Sequence, residues 1–287
     1  MITVYETIAR KFSAMSTSQK KIAKYILENK TGVSFMNVNT LAKASGVSEA
    51  TIIRFTTFLG YRGYPQMQKD LQAQTQKQLS MKERLAISND AYLNQDSGLI
   101  KIFDDEIGHL RSTMEELDSE NFFKIVEVIK NARRIAVVSG RSAMSLGYFM
   151  QYYLDMMLGN VVLIGDFGNS EEKLCDFTKD DIVICLTYYR YTKRTCELIH
   201  FACEKGIPTI SITDNMTSPV IGDSTYYLLA ETSMPTYLDS FVAPLAVINA
   251  ILTYVGKDKG EQINKRIGAL DEMWEHFGTF YSEEDKK

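Results

Sequence analysis

Between residues 134 and 230, five short runs rich in β-branched residues recur: RIAVVS (134–139), NVVLIG (160–165), DIVICLT (181–187), IPTISIT (207–213) and STYYLLA (224–230). Stretches that read as helices lie between them, SAMSLGYFMQYYLDMML and TKRTCELIHFACEKG among them. Near-continuous apolar strands alternating with helices predict a parallel sheet covered on both faces. The later run DSFVAPLAVINAILTYV is apolar on nearly every side, which predicts a helix buried in the domain or in a subunit interface. The chain ends in the solvated tail SEEDKK.

The first 80 residues have a different period. Thr17 or Ser18 is placed to cap a helix through QKKIAKYILEN, where Ile22, Tyr25 and Ile26 recur at helical spacing. Asn39 or Thr40 opens a short helix, LAKAS, and Gly46 supplies the positive φ of a sharp turn plugged by Val47. Ser48 then caps a second helix that closes at Gly60, with Ile53, Phe55 and Leu59 as apolar anchors. The small Ala42 lets the two helices approach. Two short helices joined by a Gly-containing turn form a helix-turn-helix, whose second helix enters the DNA major groove. Residues 65–95 are rich in Gln and Lys and predict a helix fading into a connector; two amphipathic helices follow from about Ile100 to Lys130.

Charge divides along the same line. Residues 1–80 hold eight Lys and three Arg against four acidic residues, a net of +7, and the remainder of the 287-residue chain carries −11. A basic module joined to an acidic one places any polyanion partner on the basic part. The expected organisation is a DNA-binding unit over 1–80, a helical connector over 81–105 and an α/β unit over 106–287. No run of apolar residues is long enough to span a membrane, and MITVYETIARKFSAM lacks the apolar core of a signal peptide, so a cytoplasmic protein without membrane association is expected. The four cysteines (Cys175, Cys185, Cys196, Cys203) have no CxxC spacing and predict reduced, buried thiols, with neither metal nor disulfide.

In an open parallel sheet, ligands bind beyond the carboxyl ends of the strands. After the first strand comes Ser139-Gly140-Arg141-Ser142, where Gly140 permits close backbone approach and the next helix offers free N–H groups to an anion; Ser142 also reads as a plain helix cap. After the third comes Thr187-Tyr188-Tyr189-Arg190-Tyr191-Thr192-Lys193-Arg194, three basic and three aromatic side chains at a strand-to-helix junction. Arg190 is suited to a phosphate or carboxylate, and Thr192 to capping the helix beneath; the alternative is a solvated, partly stacked loop. The loop Thr213–Pro219 reads mainly as scaffold. Catalysis has little support. The histidines number three, His200 reads as packed within its helix, no nucleophile elbow or Walker loop is present, and Glu171, Glu172, Asp214 and Glu231, the acids near the loops suited to general acid-base work, lack an evident partner.

The stretch LAKASGVSEATIIRFTTFLGYRGYPQMQKDL resembles the helix-turn-helix of RpiR-type bacterial transcriptional regulators, matching at Leu41, Ala42, Gly46, Val47, Ser48, Ala50, Thr51, Ile52, Arg54, Phe55, Leu59, Gly60, Tyr61, Gly63 and Tyr64. Residues 134–255 are similar to the SIS (sugar isomerase) domain that follows in that family, in strand order, in the GxS element and in ITDNMTSP at 212–219. The resemblance implies an all-α helix-turn-helix domain followed by a five-stranded parallel α/β sandwich of flavodoxin-like type. One departure stands out. Phosphosugar-binding SIS domains usually carry S-x-S-G-x-T after the third strand, where this chain reads Thr187-Tyr188-Tyr189-Arg190-Tyr191-Thr192. Either Arg190 replaces the small-residue cradle as a charged clamp, or the ligand is not a phosphosugar.

Together these features point to a transcription factor without cofactor, binding operator DNA and a small anionic effector, as a homodimer or tetramer. Ser48, Glu49, Thr51 and Arg54 lie on the opening turns of the second helix, with Lys43, Arg62 and Lys69 placed for the phosphate backbone. Arg54 reads a guanine, binds phosphate or braces the helix. Gly140, Arg141, Ser142, Thr187, Tyr189, Arg190 and Thr192 are the expected effector contacts. A phosphosugar isomerase, and a constitutive DNA-binding protein whose sheet domain only dimerises, are the competing readings.

Overall fold

All five runs are strands of one parallel sheet in a computed structural model that describes residues 3–76, 80–91, 95–166, 170–234, 236–257 and 260–281. The strands are β1 (Ile135–Ser139), β2 (Val161–Ile164), β3 (Ile182–Leu186), β4 (Thr209–Thr213) and β5 (Tyr226–Leu229), in the order β2-β1-β3-β4-β5. Val138 sits opposite Ile164 on one side and Cys185 on the other. The order reverses between β1 and β3, and such a reversal opens a crevice at the carboxyl ends of the two strands.

Alternating side chains feed two layers. Ile135 and Val137, with Ile184, Ile210 and Leu228, pack under α9 (Ser119–Asn131), α10 (Met144–Leu158) and α12 (Val242–Lys257). Ala136, Val138, Val183 and Cys185 face α11 (Lys193–Glu204) through Ile199 and Ala202. Each such fully buried aliphatic side chain contributes roughly 1.5–3 kcal/mol, so a strand buried on both faces is held chiefly by this packing. Helix α10 lies so close to β1 that a Cβ at Gly147 would fall 2.0 Å from Ser139 Oγ and 2.9 Å from its Cβ. α12 buries Ala243, Val247, Ile248, Ile251 and Val255 within the domain, and α13 (Gly260–His276) follows. The tail SEEDKK lies outside the described residues.

The chain divides into two units, Met1–Phe103 with Ser233–Asp239, and Asp104–Thr232 with Ser240–Lys287. The first is helical: α1 (Val4–Lys11), α2 (Thr17–Glu28), α3 (Lys30–Ser34), α4 (Val38–Ser45), α5 (Glu49–Leu59), α6 (Tyr64–Gln76) and α7 (Met81–Ala91), with α8 beginning at Gln95 and ending at Glu116. Ile8, Ile22, Ile26, Leu41, Ile52, Phe55, Met67 and Leu71 form its core.

Several local expectations are corrected. The cap of α2 is Ser16, one residue before Thr17, because its hydroxyl accepts from the Gln19 amide while Gln19 Oε1 accepts from the Ser16 amide, closing a capping box. Asn37 caps α4, so that helix begins before Asn39. Ile53 is 51% exposed and is no core anchor, since the buried stripe of α5 is Ile52, Phe55, Thr56 and Leu59. The connector does not fade: α7 is a regular helix whose buried Arg84 pairs with Asp239 at 2.6 Å and donates to the Thr236 and Leu238 carbonyls. Of the cysteines, Cys185 is buried and Cys196 half-buried, but Cys175 and Cys203 are exposed; Cys203 falls one step beyond the buried Thr195–Ile199–Ala202 face of α11.

Candidate nucleic-acid interface and anion cleft

The α4–turn–α5 unit is built from local signals. Gly46 adopts φ 67°, and the amides of Gly46 and Val47 donate to the Lys43 and Ala42 carbonyls at 3.2 and 3.0 Å, closing α4. Ser48 caps α5, its Oγ accepting from the Thr51 amide at 3.3 Å. Gly60, at φ 108°, closes the helix, and Lys11 Nζ donates to the Phe58 and Leu59 carbonyls there, neutralising the negative end of the helix dipole.

This geometry sorts the expected DNA contacts. Thr51 is half-buried and its hydroxyl lies 2.9 Å from Ser48 Oγ, so these two hydroxyls bind each other. The Glu49 carboxylate accepts from Asn39 Nδ2 at 2.6 Å. Lys43, Arg54 and Arg62 are exposed, and the Arg62 backbone amide donates to Gln66 Oε1 at 2.8 Å. Glu49, Ala50, Ile53, Arg54 and Thr57 make up the solvent face of α5. Ile53 and Thr57 were missed by sequence reasoning, although counting from the buried Ile52 and Phe55 puts both off the core stripe.

At the sheet, the loops after β1, β2 and β3 converge. Gly140 leads into a short 3-10 turn, Arg141–Ala143, before α10 begins at Met144. The expected free N–H groups are therefore not all free, because the Arg141 amide donates to Asp166 Oδ2. Ser142 is exposed and caps nothing; no side-chain cap serves this turn or α10. A Cβ at Gly140 would lie 2.8 Å from Asp166 Oδ1 and 3.2 Å from both Thr192 Oγ1 and Thr195 Oγ1, so only glycine lets β1 approach the start of α11 this closely. Thr192 does cap α11: its hydroxyl accepts from the Thr195 amide at 3.4 Å and lies 2.6 Å from Thr195 Oγ1.

The loop after β3 is more ordered than a solvated stretch. Thr187 and Tyr188 are buried, and Tyr188 packs on Phe241 with ring centroids 5.4 Å apart; burial raises its phenol well above the ordinary value. Tyr189 is half-buried and meets Tyr191 edge-on. Arg190 is exposed at φ 64°, and Arg141 likewise has a positive φ of 53°. Left-handed backbone at a non-glycine residue costs roughly 1–2 kcal/mol and is held here by the surrounding loop. The loop after β4 is tied to the loop after β3. Tyr191 donates to Asp214 Oδ1 at 2.7 Å, and Asn215 Nδ2 donates to both Asp214 Oδ2 and the Tyr191 oxygen. Burial raises the Asp214 carboxyl above its ordinary range, against the lowering effect of the Tyr191 hydrogen bond.

The cleft thus brings Gly140, the Arg141 amide and Thr192 together, with Thr187 buried behind them at the end of β3. Beside them stand Asp166 and Thr195, which sequence reasoning did not single out, while Asp214, read there as an acid without a partner, is bonded to Tyr191 and Asn215. His200 is not packed: one step past Ile199, it is exposed and lies 3.2 Å from Asp223 and 3.4 Å from Glu204, and Asp223 raises its pKa. Glu171 pairs with Arg194, which gives that acid a structural partner. Among the described residues, no helix is long and apolar enough to cross a membrane, and no three His, Cys, Asp or Glu side chains cluster as metal ligands.

Comparison with known proteins agrees with both halves. A family model described as a helix-turn-helix domain of the rpiR family matches residues 2–78, and a SIS domain model matches residues 128–254. An uncharacterised HTH-type transcriptional regulator of Caldanaerobacter subterraneus is 28% identical over 277 residues, covering 95% of this chain and 97% of that protein. Among solved structures, the sugar isomerase domain of an RpiR transcription factor from Sphaerobacter thermophilus is 23% identical with TM-score 0.58, spanning 60% of this chain and 97% of that one. Vibrio vulnificus NanR, complexed with ManNAc-6P, is 19% identical with TM-score 0.56, over 95% of this chain and 98% of its own.

Proposed function

The chain belongs to the rpiR family of helix-turn-helix proteins and carries a SIS domain, and from that premise we propose a transcriptional regulator whose operator affinity is set by a small phosphorylated sugar. The observation that carries the reading is the solvent face of α5: Arg54 and Ile53 stand exposed on a helix fixed at both ends, by Ser48 and by Gly60. A guanidinium and an aliphatic side chain on one helix face suit a guanine edge and a thymine methyl in the major groove. Ser48 and Thr51, which bind each other, and Glu49, held by Asn39, set the angle of the helix and contact the duplex from its first turn. Lys43 and Arg62 take phosphates. A single headpiece of this size offers little surface, so two copies related by a two-fold axis dock on a pseudo-palindrome.

The effector sits in the cleft. Gly140, the Arg141 amide, Thr192 and Thr195 offer the small, hydroxyl-rich wall that a phosphate needs, Arg190 supplies charge, and Ser142, Thr187 and Tyr189 complete the surroundings. The complex of NanR with ManNAc-6P, on a like fold, supports a phosphosugar over other anions. No residue is assigned a catalytic role, in keeping with the relatives' description as regulators. A protein acting on operator DNA works in the cytoplasm.

The test is a band shift on DNA upstream of the protein's own operon, with and without a panel of sugar phosphates. Arg54→Ala is expected to cost about 1–3 kcal/mol of specific binding, the value of one base contact. Unchanged affinity in that variant, at several salt concentrations, would remove α5 from the interface.

A further inference from the structure

We propose that Asp166 is a built-in occupant of the anion cleft, whose carboxylate holds the place that the effector's phosphate takes, so that binding is an exchange of one anion for the other. This rests on the reading of the cleft given above.

Asp166 is the first described residue after β2 and Gly165 whose side chain reaches across to the other two loops. Oδ2 accepts the Arg141 amide, and Oδ1 lies beside the same point on Gly140 that Thr192 Oγ1 and Thr195 Oγ1 approach. The carboxylate therefore accepts one amide and lies near a pair of hydroxyls that bind each other at the start of the 12-residue helix α11, whose positive end favours an oxyanion. Those surroundings come from the loops after β1 and β3, and Gly140 makes room for them.

The carboxylate is also free to leave. Asp166 is exposed, and among the described residues it makes no ion pair. Among the described residues, the amide hydrogen bond and the helix field hold it. A phosphate monoester carries about −1.5 to −2 charges and three acceptor oxygens, against one charge and two oxygens for a carboxylate, so it gains more from the same donors. A monocarboxylate gains nothing over the occupant already present. Asp166 thereby acts as a specificity-determining residue, admitting phosphate monoesters and turning away sugar acids and other monoanions.

The experiment measures binding of inorganic phosphate and of acetate to the full chain at constant ionic strength, by calorimetry, for the wild type, Asp166→Ala and Asp166→Asn, with Thr192→Val as a probe of the cleft. Asp166→Asn keeps an oxygen for the Arg141 amide, so it separates loss of charge from loss of fold. Both Asp166 variants are expected to bind phosphate roughly tenfold to a hundredfold more tightly, the range spanned by one hydrogen bond to a charged group, and to acquire measurable acetate binding. Phosphate affinity unchanged or weakened in both, with Thr192→Val abolishing it, would leave the cleft reading intact and overturn this one. No phosphate binding in any of the proteins would overturn both.

Discussion

Tyr191 donates its phenolic hydrogen to Asp214 Oδ1 at 2.7 Å, and so ties the loop after β3 to the loop after β4 across 23 residues of sequence. Asn215 Nδ2 donates to both partners, closing a triangle of polar groups in a largely buried place. Removing one corner leaves a buried carboxyl short of a donor. Tyr191→Phe is therefore expected to lower stability by about 1–3 kcal/mol in urea unfolding. A change below about half a kcal/mol would mean that water replaces the phenol, and the loop is then not pinned in this way.

Two aspartates have opposite pH signatures. Burial alone would raise Asp181, but the Arg133 guanidinium at 2.6 and 2.9 Å and the Thr178 amide outweigh it and hold the carboxyl below its usual range. A lowered folded pKa gives stability that is complete above the unfolded value of about 3.9 and disappears as the pH falls through the folded one. Asp214 is raised, so its ionisation costs stability as the pH climbs above that same unfolded value. Urea midpoints across acid-to-neutral pH should lose their steep acid limb in Asp181→Asn and their decline toward neutrality in Asp214→Asn. Parallel curves for all three proteins would refute both assignments.

Arg190 sits in left-handed backbone that glycine adopts without strain. Arg190→Gly should raise the melting temperature, since relief of the strain is offset only partly by glycine's greater unfolded-chain entropy, for a net gain of up to about 1 kcal/mol. The same substitution should weaken phosphate binding. A variant that is more stable yet binds as tightly as the wild type would show that the guanidinium has no part in holding the anion.

On DNA, Lys43 and Ile53 should fail differently. Lys43→Ala removes one phosphate contact, lowering the slope of log affinity against log salt by about 0.9 for every sequence alike. Ile53→Ala keeps the slope and costs about 1 kcal/mol at a single base pair that carries a thymine methyl. The two effects separate in a salt titration run on a panel of operator variants. Identical behaviour of both variants would mean that α5 and the end of α4 do not divide the work of reading and anchoring.

What could be read from residues alone was whatever is local or repetitive. The five strands announced themselves because a parallel strand buried on both faces needs apolar residues at every position, as in Ile135–Val138. Gly46, Ser48 and Gly60 were legible because a turn, a cap and a helix end each depend on one residue type at one place. Errors arose where several candidates shared a neighbourhood: Ser16, Thr17 and Ser18 all suit a cap, and Gln19 decides among them. The cleft was half visible. Gly140 and Thr192 follow strands in sequence, whereas Asp166 meets Arg141 across 25 residues and His200 meets Asp223 across 23, and no period or spacing encodes such pairs.

The order of the strands has a mechanical result. Gly140 and Arg141 lead into α10, which is rooted in one apolar layer through Leu146, Met150 and Leu154, while Thr192 and Thr195 open α11, rooted in the other through Ile199 and Ala202. A guest lodged between them works as a rivet driven through the domain from front to back. Its arrival should slow amide exchange on both sides of the sheet together, far from any atom it touches.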